Sequence, residues 1–239
     1  MDKREEYRKG KLTAQPLTSS SAIKIAIGQQ RLDLGQEKEC LLYVPAGYDP
    51  GAPASLVLLL HGAGGNAAHG LSYLQPYADK NNLLLLAPAS HSYSWDVIAA
   101  DAFGTDVLFI DRVLTHVFEQ FPLNTRRIAI GGFSDGASYA LCLGLSNGNL
   151  FSHIIAFSPG FSYTYENRGK PAIFISHGVN DNVLPIGPCS RRIVPRLQQS
   201  GYNVLYKEFN GQHEIPGFVA QQAVDWYLDE LPLTDRMCL

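Results

Sequence analysis

Charge, cysteine and long apolar runs are all scarce in this chain. Charged residues fill 17% of its 239 positions and leave a net charge of −3, with no stripe of lysine or arginine along any segment. Such a surface gives a phosphate backbone nothing to hold, which argues against nucleic acid as a partner. No basic amphipathic stretch marks a membrane-surface helix either, so no membrane anchoring is expected. The longest purely apolar runs, Leu56–Leu60 and Leu83–Ala87, fall far short of the roughly 20 residues that span a bilayer. The opening MDKREEYRKGKLTAQPLTSSS is charged, then rich in Ser and Thr, and lacks the apolar segment of a secretory signal. Cys40, Cys142, Cys189 and Cys238 are scattered without C-x-x-C spacing, so neither a zinc site nor a disulfide framework is expected. Reduced thiols and a cytoplasmic location follow as the reading of these features.

What the chain does have is a succession of short apolar runs. Residues 1–20 read as a flexible arm, and residues 21–239 as a single domain with no internal repeat or linker. Residues 22–27 and 40–45 read as two strands joined by a polar connection. Apolar runs of four to eight residues then recur at 56–60, 83–87, 127–131, 153–158, 172–176 and 203–209. Between most of them lie helical patterns, at 66–80, 104–120, 135–147, 190–200 and 217–230. In the second of these, Val107, Leu108, Ile110, Val113, Leu114, Val117 and Phe118 keep helical spacing. Continuous Val/Ile/Leu runs are strands buried on both faces, and their connections must be crossovers. The chain therefore reads as α/β, with a mostly parallel central sheet of about eight strands opened by an antiparallel pair. On such sheets ligands bind at the carboxyl ends of the strands, so the loops there carry the function.

Four of those loops hold chemistry. Gly132-Phe133-Ser134-Asp135-Gly136 fits G-x-S-x-G between a strand and a helix, the context in which the serine is lifted on a strained turn above the sheet edge. That motif requires an acid and then a histidine further along the chain. His153, His177 and His213 follow Ser134; His153 begins a strand and His177 buttresses a turn, which leaves His213 in its glycine-flanked loop as the base. Of the acids in between (Asp135, Glu166, Asp181 and Glu208), Asp181 lies just past a strand end and faces the histidine loop. For the oxyanion, one backbone N–H is that of Asp135; the other comes from the loop HGAGG at 61–65, with Ala63 the first choice and Gly64 the second.

The segments LLLHGAGGN, IGGFSDGA, SHGVNDNVLP and NGQHEIP together resemble the phospholipase/carboxylesterase branch of the α/β-hydrolase superfamily, over residues 22 to 232. The resemblance implies the triad Ser134, Asp181 and His213, and cleavage of carboxylic esters of short-to-medium acyl chains through an acyl-enzyme. Thioesterase or lysophospholipase activity of the same fold is the alternative. Asp135 stands where thioesterase-like members commonly have glutamine, and Gly65-Asn66 where they usually have an aspartate, which weakens the thioester reading. No cofactor and no metal are required; the partner is a small-molecule ester, and the oligomeric state, monomer or homodimer, is left open. Two rivals are a non-catalytic hydrolase fold and a dinucleotide-binding oxidoreductase. Gly62 to Ala67 matches G-x-G-x-x-A, but the next strand ends without the acidic residue that holds a ribose. Only about a dozen residues separate the sixth and seventh strands, too few for a large cap domain. Trp95, Phe161 and Tyr163, in the loops at 89–103 and 159–168, are expected to line the substrate pocket.

Overall fold

A computed structural model describes residues 3–17, 26–32, 34–35 and 38–229. Its centre is an eight-stranded sheet. In chain order the strands are β1 (Gly28–Arg31), β2 (Cys40–Val44), β3 (Ala54–Leu60), β4 (Leu83–Pro88), β5 (Leu123–Phe133), β6 (His153–Phe157), β7 (Ala172–Gly178) and β8 (Val204–Phe209). Their spatial order is β1-β2-β4-β3-β5-β6-β7-β8, with β2 antiparallel to both its neighbours β1 and β4 and all other pairs parallel. The expected first strand, 22–27, falls largely outside the described residues; β1 begins just after it.

Alternation along the strands divides the core in two. Leu56, Leu58 and Leu60 of β3 join the cluster under α5 (Thr105–Gln120), α6 (Asp135–Ser146) and α7 (Ser190–Gln199). Val57 and Leu59 point to the other face, under α2 (Ala67–Ser72), α3 (Gln75–Asn81) and α8 (Gly217–Leu228). The helix expected over 66–80 is split into α2 and α3 near Pro76, which has no N–H to continue the first helix. A short helix, α4 (Asp96–Ala99), lies in a region read as loop.

The amino-terminal segment departs from the free arm expected. Lys3–Arg8 form α1, and the chain beyond it lies against the domain. Asp111 of α5 accepts the N–H groups of Thr13 and Ala14 at 2.6 and 2.8 Å, and Asn147 accepts that of Leu12 at 2.9 Å. Lys11 pairs with Glu6 and Glu166, each at 3.1 Å. Asp111, Asn147 and Glu166 lie far along the chain, so no local pattern announces them. Residues 158–171 contain no helix, so no cap domain sits between β6 and β7. Cys40, Cys142 and Cys189 are buried free thiols, and no helix among the described residues is long and apolar enough to cross a membrane.

Candidate active site

The chain leaves β5 at Phe133 and enters α6 at Asp135, so Ser134 alone makes the turn. Its backbone sits at φ 56°, ψ −120°, a conformation costly for a residue with a side chain. The flanking glycines make this turn possible. A Cβ on Gly132 would lie 2.5 Å from the Gly136 carbonyl carbon, and one on Gly136 would lie 2.1 Å from the Leu60 carbonyl oxygen. The first turn of α6 therefore packs against strand ends at a distance that admits no side chain.

Ser134, His213 and Asp181 meet although β5, β7 and β8 supply them separately. His213 Nε2 lies 2.8 Å from Ser134 Oγ, and Nδ1 lies 2.6 Å from Asp181 Oδ2. A carboxylate can only accept, so Nδ1 carries the proton and Nε2 is left as acceptor for the serine hydroxyl. Asp181 is buried, and its other oxygen accepts the N–H groups of Val183 and Leu184 at 2.9 and 2.8 Å. Burial alone would raise this carboxyl, but the bonds from His213, Leu184 and Val183 hold its pKa below the ordinary value. The rival acids are engaged elsewhere: Glu166 with Lys11, and Glu208 with Arg191 at 2.8 and 2.9 Å.

A second histidine contacts the same carboxylate. His177 Nε2 lies 2.8 Å from the Leu184 carbonyl oxygen and 3.1 Å from Asp181 Oδ2, and Nδ1 lies 2.7 Å from Ser190 Oγ. Both neighbours of Nε2 accept, so Nε2 donates and Nδ1 receives the serine hydroxyl. Burial lowers the His177 pKa, which favours this neutral form. The residue read as a turn buttress thus fixes the loop that carries Asp181.

The oxyanion side is assembled by the loops after β3 and β4. Gly62 to Gly65 form a turn closed by Gly65 N–H on the Gly62 carbonyl at 3.0 Å, with Gly64 at φ 67°. The Gly64 N–H donates to the Tyr93 carbonyl at 2.7 Å, so Gly64 is not available as an oxyanion donor, contrary to the second choice made from the sequence. Among the described residues the backbone N–H groups of Ala63 and Asp135 have no acceptor. Gly62 lies against Ser134: a Cβ there would sit 3.4 Å from the serine Cβ. The Asp135 side chain accepts the Ser94 hydroxyl at 2.6 Å. Consecutive residues Tyr93 and Ser94 therefore tie both halves of the oxyanion side together, a link the sequence reading did not anticipate.

Trp95 belongs to this scaffold and not to a pocket, which corrects its assignment. It is fully buried, its indole N–H donates to the His61 carbonyl at 2.8 Å, and its ring stacks on Tyr139 with centroids 5.2 Å apart. Burial also lowers the His61 pKa; its Nε2 accepts the Ser90 N–H at 3.0 Å, leaving Nδ1 to donate to the Gly62 carbonyl.

Two hollows open on opposite faces of the sheet. Over the α5–α6 face lies a cavity of about 570 Å³ whose walls include Phe103, Phe161, Tyr163, Tyr165 and Asp101. The segment carrying Phe161 is held to α6 by Ser138, whose Oγ donates to the Ser134 carbonyl at 3.2 Å and accepts the Gly160 N–H at 2.9 Å. Phe161 and Tyr163, expected as pocket residues, are both in this wall. Over the α2–α3 and α8 face lies a cleft of about 390 Å³ that touches His213. No group of three or more metal-binding side chains converges among the described residues.

Comparison with known proteins places these features in a family context. The sequence model of the phospholipase/carboxylesterase family matches residues 101–227. Feruloyl esterase C of Emericella nidulans is 27% identical over 157 residues, 62% of this chain and 57% of that protein. The chain thus spans a little over half the length of the curated relatives it matches. Among solved structures, a phospholipase/carboxylesterase of Dyadobacter fermentans superposes with a TM-score of 0.61 at 22% identity, over 81% of this chain and 97% of that one. The ferulic acid esterase of Anaeromyces mucronatus superposes with a TM-score of 0.60 at 16% identity, over 91% and 98%. At these identities the two structures establish a shared α/β-hydrolase fold.

Proposed function

The chain belongs to the phospholipase/carboxylesterase family, and from that membership we propose that it is a serine hydrolase of carboxylic esters, working through an acyl-enzyme on Ser134. The observation that carries the proposal is the chain of hydrogen bonds from Ser134 through His213 to Asp181, set beside two unpaired backbone N–H groups. In this reading Ser134 Oγ attacks the ester carbonyl while His213 Nε2 takes its proton. The carbonyl oxygen becomes an oxyanion and is met by the N–H groups of Ala63 and Asp135 at the positive end of α6. When the tetrahedral adduct collapses, the bond to the alcohol oxygen breaks and Nε2 returns the proton to it. Water then repeats the sequence on the acyl-enzyme. Asp181 holds the imidazole in the required tautomer and stabilises its charged form. No step calls for a metal or an organic cofactor, and the free buried thiols support a reducing, cytoplasmic setting.

For the acyl group, two readings stand. Short-to-medium acyl chains suit an open site without a cap. The cavity walled by Phe103, Phe161 and Tyr163 favours a second reading, hydroxylated aryl acyl groups: aromatic side chains line it, and the Asp101 carboxylate can accept a phenolic O–H. The name of the Emericella relative supports the same class.

The test of the mechanism is Ser134→Ala. It should leave a folded protein with kcat for p-nitrophenyl butyrate reduced by about a million-fold and no labelling by a fluorophosphonate probe. Labelling retained at another serine overturns the assignment. Comparing kcat/KM for methyl ferulate and methyl butyrate then decides between the acyl readings.

A further inference from the structure

We infer that the cleft between α2–α3 and the amino end of α8 receives the alcohol half of the ester, and that it takes a neutral alcohol with a ring or branched apolar body. This rests on the ester-hydrolase reading above and adds a direction to it.

The direction follows from proton transfer. The departing oxygen must come within hydrogen-bond reach of His213 Nε2, because that atom supplies the proton with which it leaves. The ester carbon gains its bond to Ser134 Oγ and loses its bond to the alcohol oxygen, and the alcohol leaves neutral. Its body therefore runs from Ser134 past the imidazole, and the acyl body runs the other way. Of the two hollows, the aromatic cavity over α5 and α6 has no wall from His213, whereas the cleft on the opposite face has walls from both His213 and Phe133. That wall is continuous from the nucleophile: Phe133, the residue before Ser134, has its ring 4.6 Å from the His213 ring and 6.0 Å from that of Tyr73. Another hollow touching His213, lined by Asn180, Asn182 and the 211–214 turn, includes no residue of the nucleophile strand.

The walls give the chemical class. Tyr73, Tyr77, Phe133 and Ile215 present rings and a branched side chain. The Tyr73 hydroxyl accepts the Gly62 N–H at 3.3 Å and the Tyr77 hydroxyl donates to the Gly217 carbonyl at 2.7 Å, so both phenols already have partners. Glu214 brings a carboxylate to the wall, and no lysine or arginine is among the lining residues. An alcohol bearing a phosphate or carboxylate meets like charge there, which sets glycerophosphoryl leaving groups against this site.

The experiment varies one half of the substrate at a time. With butyrate fixed, kcat/KM is measured for the 4-nitrophenyl, 3-carboxy-4-nitrophenyl and methyl esters; with 4-nitrophenol fixed, for acetate, butyrate and hexanoate. The neutral aryl ester should exceed its carboxylated analogue by about ten-fold, and Glu214→Gln should narrow that gap. Ser72→Trp, which fills the mouth of the cleft from an exposed helix position, should lower 4-nitrophenyl relative to methyl butyrate by about ten-fold and change acyl preference less than about two-fold. Tyr77→Ala should likewise move alcohol preference and not acyl preference. If both variants shift acyl preference while alcohol preference holds, or if wild type accepts the carboxylated ester equally well, the assignment is overturned. Fluorophosphonate labelling of each variant separates the two levels: loss of labelling at Ser134 in the wild type defeats the hydrolase reading, and intact labelling with acyl-side shifts defeats only the cleft.

Discussion

The loops after β3 and β4, residues 61–66 and 89–95, are tied to each other and to α6 through backbone and side chain alike. The loop after β6 is held far more sparely over residues 159–165. On the first side, Gly64 bonds Tyr93, Ser94 bonds Asp135, Trp95 bonds His61 and His61 bonds Ser90. On the second, Gly160 and Phe161 hang on Ser138 Oγ, Tyr163 on Cys142 Sγ, and Tyr163 and Tyr165 keep half-exposed rings. The contrast separates two duties. Charge developing at one point requires donors fixed before the reaction begins. In the function proposed above, recognition of an acyl body can be left to half-exposed rings, because apolar contact is non-directional.

That contrast can be broken by experiment, first at its most tightly held residue. Asp181→Asn should fold and lower kcat by about ten-thousand-fold, because the imidazole loses the acceptor that fixes its tautomer; single-turnover kinetics beside a thermal melt will read both parts. A mild effect would mean that another carboxylate serves His213.

Acidification tests the tied regions as a whole. Burial lowers the pKa of both His61 and His177, so below the ordinary histidine value the unfolded chain takes up protons that the folded chain refuses. Their contribution to stability is complete above about pH 6.5 and falls as the pH drops toward the folded values, by up to about 1.4 kcal/mol per pH unit for each. Melts at pH 7 and 5.5, with hydrogen exchange at residues 61–66 and 177–184, should show the loss there; a midpoint indifferent to pH would contradict it.

Smaller effects sharpen the difference. Ser94→Ala releases the Asp135 carboxylate beside the oxyanion donors and should lower kcat about ten-fold, with KM less affected and Ser94→Thr restoring most of it. If KM alone rises, the serine serves binding. Tyr163→Ala should leave fluorophosphonate labelling at wild-type rate and change the ratio of aryl to alkyl acyl esters by only about three- to five-fold. A fall in labelling would show that the loosely held loop also positions the nucleophile.

The same division explains what could be read from the sequence. That Ser134, Asp181 and His213 come together was legible because the strained turn demands its glycines and the chain order restricts the partners. The sheet was legible from its continuous apolar runs. Trp95 was misread because an aromatic residue in a loop looks the same whether it stacks in a scaffold or lines a pocket. Gly64 was misread because its N–H is taken by Tyr93, a contact between loops 29 positions apart. The docking of residues 10–14 on Asp111 and Asn147 was hidden for the same reason, since those partners lie about a hundred positions away or more.

The left-handed backbone at Ser134 has an evolutionary consequence. Holding a side chain there costs on the order of 1–3 kcal/mol, and glycine would escape most of that cost. Under the nucleophile role proposed for Ser134, the fittest residue for activity and the fittest for the fold are different at this position. A lineage released from catalysis but still selected for persistence would drift to glycine at 134 while keeping the two glycines beside it, whose close packing remains a need of the fold. A decayed copy of this gene should therefore be recognisable by three small residues in a row of five, with the reactive one gone.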